Sequence, residues 1–233
     1  MRIAFIGPPG AGKSTQAKRL ARSLPHWNTS PRLSTGELVR AQIEAGTDLG
    51  RELEERYERG ERVPNETILS LVLPRVRRSG GWILDNFPAD VAQAKALDEE
   101  IEERGAGGIS RVISLEGPSE EELIRRVLGG RVTSRATGEV YHLQNDPPPE
   151  ERERQDPGPF EKRGDDTEES LKRNMVAYRR EAAALKEYYE ARGVLSVVDA
   201  RRSMDEVAEE VLEALGHPER SEFYAALRKS KTA

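Results

Sequence analysis

The sequence predicts an α/β fold of three layers, with a five-stranded parallel sheet covered by helices on both faces. Three observations carry this. Short apolar runs rich in β-branched residues recur along the chain, stretches with helical spacing separate them, and the first run enters a helix through a glycine-rich turn. At 233 residues the chain is long enough for one mid-sized domain carrying a small insert.

Taken in order, Arg2 to Ile6 is an apolar run ended by Gly7 and reads as a buried strand. Lys13 to Ser23 has helical spacing, with Ala17, Leu20 and Ala21 on one side. A fifth strand is expected near Trp27 to Leu33. Thr35 to Ser79 reads as several short helices broken near Gly46, Gly60 and Pro64. Trp82 to Leu84 is the next apolar run, ended by Asp85; Val112 to Leu115 and Val194 to Val198 follow, the last ended by Asp199. Helices are expected over residues 90–104, 119–128 and 167–192. Residues 130–166 differ: they are polar, short of aliphatics, and contain Pro147-Pro148-Pro149 and Pro157-Gly158-Pro159. A stretch like this inside a domain is a lid, a binding loop or disorder. The turn signal Thr137-Gly138 predicts a small hairpin within Arg131 to Tyr141. Residues 217–233 form a polar extension.

Composition narrows the function. Apolar residues make up 36% and charged residues 34%, yet the apolar ones cluster, so a modest core is expected rather than disorder. The net charge of -5 and a pI near 5.5 lack the basic balance of a general nucleic-acid binder. No run approaches the roughly 18 apolar residues of a membrane span. The short apolar start MRIAFIGPPG has no small-residue cleavage pattern, so no signal peptide is expected. The absence of cysteine excludes disulfides, thiolate zinc sites and cysteine nucleophiles, and fits a reducing, cytoplasmic setting. His26, His142 and His217 are too scattered for a metal site.

The most informative segment is Gly7-Pro8-Pro9-Gly10-Ala11-Gly12-Lys13-Ser14, followed by Thr15. It matches G-x-x-x-x-G-K-[ST], which arises by chance on the order of once in a hundred chains this long. Glycines let the backbone turn its N–H groups inward on an anion, and the helix that follows aims its positive end at the same place. Lys13 would reach the β- and γ-phosphates of a nucleotide, and the Ser14 hydroxyl would help hold Mg²⁺. Asp85, at the carboxyl end of a strand, is a candidate to orient that ion or its waters. Its other reading is an N-cap for the helix near Asp90; the metal role is preferred because four residues intervene.

Beyond this loop, the chain resembles adenylate kinases of the nucleoside monophosphate kinase family over about residues 1–215. The shared pieces are the loop itself; Ser34-Thr35-Gly36-Glu37-Leu38-Val39-Arg40; Gly60-Glu61-Arg62-Val63-Pro64-Asn65-Glu66; Asp85-Asn86-Phe87-Pro88 with Gln93; Gly138-Glu139-Val140-Tyr141-His142; and Arg163-Gly164-Asp165-Asp166. The resemblance implies a P-loop core of five parallel strands formed by residues 1–33, 64–128 and 167–216. It also implies a helical NMP-binding insert at 34–63 and a small mobile lid at 129–166. It implies reversible, Mg²⁺-dependent phosphoryl transfer from ATP to AMP by a cytoplasmic monomer, with neither nucleic acid nor membrane as partner. Carried over residue by residue, Gly10, Ala11, Gly12, Lys13, Ser14, Thr15, Tyr141 and Arg202 would hold ATP. Thr35, Arg40, Glu61, Arg62, Val63, Asn86 and Gln93 would hold AMP. Arg40 would clamp the AMP phosphate and Gln93 would read the adenine edge. Lys13, Arg126 and Arg163 would act on the transferring group. Thr35 and Gln93 follow the AMP-accepting type rather than the UMP/CMP type.

Three positions depart from the family pattern, which has arginine where this chain has Ala89, Gly130 and Asn174. One transition-state arginine can be worth 10³–10⁵ in rate. Arg62, Arg131, Arg135 and Arg173 are the candidate stand-ins. Three function classes therefore stand: an adenylate kinase, a P-loop kinase with another small acceptor, and a nucleotide-binding protein with little turnover. Asp165-Asp166 reads as lid-hinge contacts or as a cap for the helix from Thr167. Trp82, Met175 and Met204 read as packing residues.

Overall fold

The computed structural model describes residues 1–23, 31–59, 61–103, 105, 108–134, 139–144, 146–148 and 160–216. Expectations for Trp27, Gly60, the Thr137-Gly138 turn, Arg135, His26, His217 and the extension at 217–233 lie outside these residues.

The first strand, β1 (Arg2–Ile6), has no polar residue after Arg2. Its pleat sends Ile3 and Phe5 to one face of the sheet and Ala4 and Ile6 to the other. The chain then forms α1 (Lys13–Ser23), β2 (Arg32–Ser34), α2 (Thr35–Glu44), α3 (Asp48–Glu58), α4 (Asn65–Arg77), β3 (Trp82–Asp85), α5 (Val91–Glu102), β4 (Arg111–Glu116) and α6 (Glu120–Leu128). Three short strands follow: β5 (Arg131–Ser134), β6 (Val140–His142) and β7 (Phe160–Glu161). The long α7 (Glu168–Glu190), β8 (Leu195–Asp199) and α8 (Met204–Ala214) complete the described chain.

The main sheet has the order β2-β3-β1-β4-β8, and every pairing in it is parallel. The fold class read from the sequence is therefore the one observed. The fifth strand starts at Arg32, at the end of the stretch expected to hold it. One face of the sheet packs on α1 and α8 through Ala17, Leu20, Val207, Val211 and Leu212. The other packs on α4, α5 and α7 through Val72, Val76, Leu97, Ile101, Leu185 and Tyr189. Burial of each such aliphatic side chain is worth about 1.5–3 kcal/mol. Trp82 lies in this second layer as expected, fully buried, with its indole N–H unpartnered. Val39, Leu53 and Leu71 make a smaller core under α2, α3 and α4. The short strands form a separate antiparallel sheet, β6-β5-β7, which contains the predicted hairpin.

Helix starts follow side-chain chemistry. Asp90, Ser119, Thr167 and Ser203 each accept a backbone N–H at the start of α5, α6, α7 and α8. The cap of α7 is thus Thr167 itself, so the capping alternative for Asp165-Asp166 is not realised. No helix among the described residues is long and apolar enough to cross a membrane.

Candidate active site

The strand order places β1 in the centre, with β3 and β4 on either side, so the turns after β1 and β3 meet at the carboxyl edge of the sheet. After β1 the backbone must pass very close to its neighbours. A Cβ on Gly7 (φ 143°) would sit 2.6 Å from the Leu115 carbonyl oxygen, and one on Gly10 (φ 81°) 2.7 Å from that of Leu123. Only glycine fits either place. The loop delivers Lys13 to the first turn of α1, where it is buried and its Nζ donates to the carbonyls of Gly7 and Pro8, each at 2.8 Å. Burial pulls its pKa down to about 8; Asp85 opposes this, and Arg131 adds to it.

Asp85 ends β3 opposite Phe5 and Ser34 and is fully buried. Its Oδ2 lies 3.3 Å from Arg32 Nη1, while Oδ1 is buried without a partner. It caps no helix: that place belongs to Asp90, which accepts from Gln93 N at 2.9 Å. Sequence reasoning passed over Arg32. It forks onto Glu37 with two bonds of 2.6 Å as well as reaching Asp85. The available signal was a guanidinium two residues before the Ser34-Thr35-Gly36 motif.

On the α2 side, the buried Thr35 donates its hydroxyl to the Asn86 carbonyl at 3.4 Å. The Arg40 guanidinium lies over Gly36, with Nη1 3.1 Å from where a Cβ would stand, and its Nε is buried and unpartnered. Asn86 has φ 63°, which accounts for the residue type: asparagine is among the few besides glycine that tolerate this region. Glu61 is tied to Arg59 at 2.6 Å and Arg56 at 3.1 Å. The half-exposed Arg62 faces Asp90 at 3.7 Å. Val63 joins the small core under α2–α4, and Gln93 is buried at the start of α5.

On the side of the small sheet, Arg131 pairs with the buried Asp166 through two bonds, one of 2.8 Å. Arg163 Nε donates to Thr133 Oγ1 at 2.9 Å. Burial lowers the Arg163 pKa to about 10, and the nearby Arg40 and Arg131 push it the same way. Arg126 donates to the Ala200 carbonyl at 2.9 Å and pairs with Glu122. Tyr141 is buried edge-on against Phe160, with its hydroxyl on Glu139. Lys18, from α1, crosses to this sheet: its Nζ donates to the Val140 carbonyl and sits 4.5 Å from the Tyr141 ring centre. Burial holds Lys18 below the usual lysine range, against Glu139. Arg202 lies 3.4 Å from Glu210 and is exposed.

The three departures have distinct surroundings. At Gly130 the space of a side chain is taken by His142, whose Cε1 is 3.0 Å from a built Cβ. His142 Nε2 is 2.9 Å from the Arg126 carbonyl, and Nδ1 accepts from Gln144 N at 3.3 Å, which places the ring proton on Nε2. Asn174 is exposed, and its neighbour Arg173 pairs with Glu169 at 2.7 Å. Ala89 N–H is bonded to Gln93 Oε1 at 2.8 Å. Of the stand-ins described, Arg62 is turned to Asp90 and Arg173 to Glu169, whereas Arg131 is close enough to Lys13 and Arg163 to shift both.

Gly10 to Thr15, Thr35, Arg40, Asp85, Asn86, Gln93, Arg126, Tyr141, Arg163 and Arg202 all line one cavity of about 1450 Å³, as do Glu61, Arg62 and Val63. Together the parallel sheet, the glycine loop and its buried lysine define a P-loop, nucleotide-binding phosphotransferase core. A family model described as adenylate kinase matches residues 5–194. Proteins named adenylate kinase from Streptomyces coelicolor (37% identical over 219 residues, 92% of this chain and 98% of that protein) and Archaeoglobus fulgidus (37% over 215 residues, 91% and 96%) are similar along nearly their whole length. One from Thermodesulfovibrio yellowstonii is 37% identical over 211 residues, 89% of this chain and 95% of that protein. The chain belongs to the adenylate kinase family.

Proposed function

We propose that this protein transfers the γ-phosphoryl group of ATP to AMP, reversibly, giving two ADP. The observation that carries the reading is the convergence of Lys13, Arg40, Arg131 and Arg163 on one cavity large enough for two nucleotides. Arg131 pushes the Lys13 pKa down, and Arg40 and Arg131 that of Arg163; a polyanion lying among these cations relieves the repulsion. Phosphoryl transfer asks the protein mainly for positioning and charge neutralisation, and this cluster supplies both. In this reading Lys13 and the loop N–H groups hold the β- and γ-phosphates, Arg40 holds the acceptor phosphate, and Arg126, Arg131 and Arg163 surround the group in flight. Arg131 takes over part of the work of the arginines absent at 89, 130 and 174.

The donor set fits Mg²⁺. Asp85, whose buried Oδ1 has no partner, and Ser14 line the same cavity, and among the described residues no cluster of three acidic or histidine side chains competes for the ion. Bound there with the phosphates, Mg²⁺ neutralises charge on the transferring group. Residues 34–63 serve as the acceptor-binding insert, and 129–166 as a lid that keeps water from the γ-phosphate. All the named groups come from one chain, so a monomer suffices, and the cysteine-free sequence suits the cytoplasm.

The test is ADP formation from MgATP and AMP by purified protein, with Lys13→Ala as control and UMP, CMP and GMP as other acceptors. Turnover with AMP that the variant abolishes is the expected result. Tight ATP binding without turnover of any nucleotide would overturn the proposal in favour of a different acceptor or a binding role.

A further inference from the structure

Beside the cavity, four groups form a hydrogen-bonded chain whose direction is fixed at both ends. Asp90 Oδ2 accepts from Asn65 Nδ2 at 2.8 Å, and Asn65 Oδ1 accepts from Gln93 Nε2 at 2.8 Å. Gln93 Oε1 in turn accepts from Ala89 N at 2.8 Å. A carboxylate only accepts and a backbone N–H only donates, so the two amides between them have one consistent orientation. Asp90 is itself held, by its bond from Gln93 N at 2.9 Å and by Arg62 at 3.7 Å. After these bonds Gln93 keeps one free N–H and one free lone pair on Oε1. Gln93 lines the cavity, whereas Asn65 and Asp90 do not, so the latter two would act through it.

We propose that Asn65 and Asp90 are positioning residues that lock the amide direction of Gln93, and so make the acceptor pocket selective for a 6-amino purine over a 6-oxo purine. The inference rests on the reading above, in which Gln93 meets the acceptor base. A 6-amino purine presents an acceptor at N1 and a donor at the amino group; a 6-oxo purine presents the reverse. A glutamine free to flip serves both edges. A locked one serves one edge and leaves its own donor and acceptor mismatched against the other, and such mismatch discriminates strongly. Turning Gln93 over would face its NH₂ to the Ala89 N–H and its oxygen to Asn65 Oδ1, so the scaffold resists it.

Asp90→Asn tests this without removing the cap. The oxygen that caps α5 stays, but an NH₂ group now faces Asn65, so the chain has a donor at both ends and one link must fail. The measurement is kcat/KM for AMP and for IMP, with the KM for MgATP as the internal control. The expected result is a fall of about tenfold in the AMP-to-IMP ratio, carried by the acceptor KM, with the MgATP KM unchanged. The double variant Asp90→Asn/Asn65→Asp restores the direction, because the new amide at position 90 then donates to a carboxylate at position 65 that also accepts from Gln93. Its ratio is expected within about threefold of the parent. Should Asp90→Asn fail to fold, Asn65→Leu, which removes the Gln93 partner, takes its place with the same expected fall. An unchanged ratio in the single variants, or no recovery in the folded double variant, overturns the inference. If the parent accepts IMP as readily as AMP, or if Gln93→Ala keeps the ratio, the underlying reading of Gln93 falls first, and these two failures are separable.

Discussion

Lys13 makes the binding of nucleotide a proton-coupled event. Its pKa near 8 means that in the free protein the side chain is mostly charged at pH 7 and about one-quarter charged at pH 8.5. Phosphates beside it stabilise the charged form and return the pKa toward its ordinary value of 10.5. Binding a Mg²⁺ complex of the β,γ-imido analogue of ATP should therefore take up about 0.1 proton at pH 7 and about 0.75 at pH 8.5. Arg163, with a pKa of about 10, adds only a few hundredths at that pH. Isothermal titration calorimetry in buffers of different ionisation enthalpy reads the uptake as a slope. Asp85 raises the Lys13 pKa, so Asp85→Asn should move the rise in uptake to lower pH. A slope below about 0.2 at pH 8.5, or equal slopes at the two pH values, refutes the argument. The same shift sets the sign for stability. The folded pKa lies below the unfolded one, so the unfolded chain binds more protons between pH 8 and 10.5. The free protein carries a cost of about 3 kcal/mol from this group at neutral pH and regains it as the pH rises through that window.

Three further perturbations are readily checked. Gly130→Arg, which restores the family residue, must displace His142 and its 2.9 Å bond to the Arg126 carbonyl; a loss of about 1–2 kcal/mol in urea unfolding is expected, with no gain in turnover. Asn86→Ala should lose about 1–2 kcal/mol, because alanine cannot share the φ of 63° cheaply, while Asn86→Gly should keep or raise the unfolding midpoint. Lys18→Met removes the bond to Val140 and the stacking over Tyr141, worth about 1–2 kcal/mol together; phosphate release from ATP without acceptor should rise about tenfold as the small sheet lifts more readily from α1.

How far the sequence could be read depended on the range of the interactions. β1, β3 and β4 were legible because strands buried on both faces must be apolar throughout, β8 because its run stays largely apolar although it lies at the sheet edge with Val197 exposed, and the loop after β1 because glycine and lysine have fixed tasks there. The helical boundaries near Gly46 and Pro64 followed from local backbone chemistry. What was not legible came from side chains meeting across the chain. Arg32 finds Asp85 only because β2 lies beside β3. The Asn65–Asp90–Gln93 relay joins two helices whose amides carry no periodic signal. His142 filling the room beside Gly130 likewise depends on the register of β5 with β6, which pairs Arg131 with His142. A missing arginine is visible in the sequence, but the group that occupies its space is not.

The order of the main sheet also governs how the chain must be born. β4 pairs with β8 although about eighty residues lie between them, and those residues contain the small sheet and α7. Until Leu195–Asp199 leave the ribosome, the β4 edge has no neighbour on that side. In the finished protein Val112, Ile113 and Leu115 are wholly buried. A nascent chain stopped before Leu195 therefore carries an open, apolar strand edge, which is a template for pairing with another chain. The hairpin of β5 and β6 and the helix α7 can form locally during that wait, and they bring the far strand nearer. Protection of the β4 edge thus arrives only when β8, the last strand among the described residues, has been made.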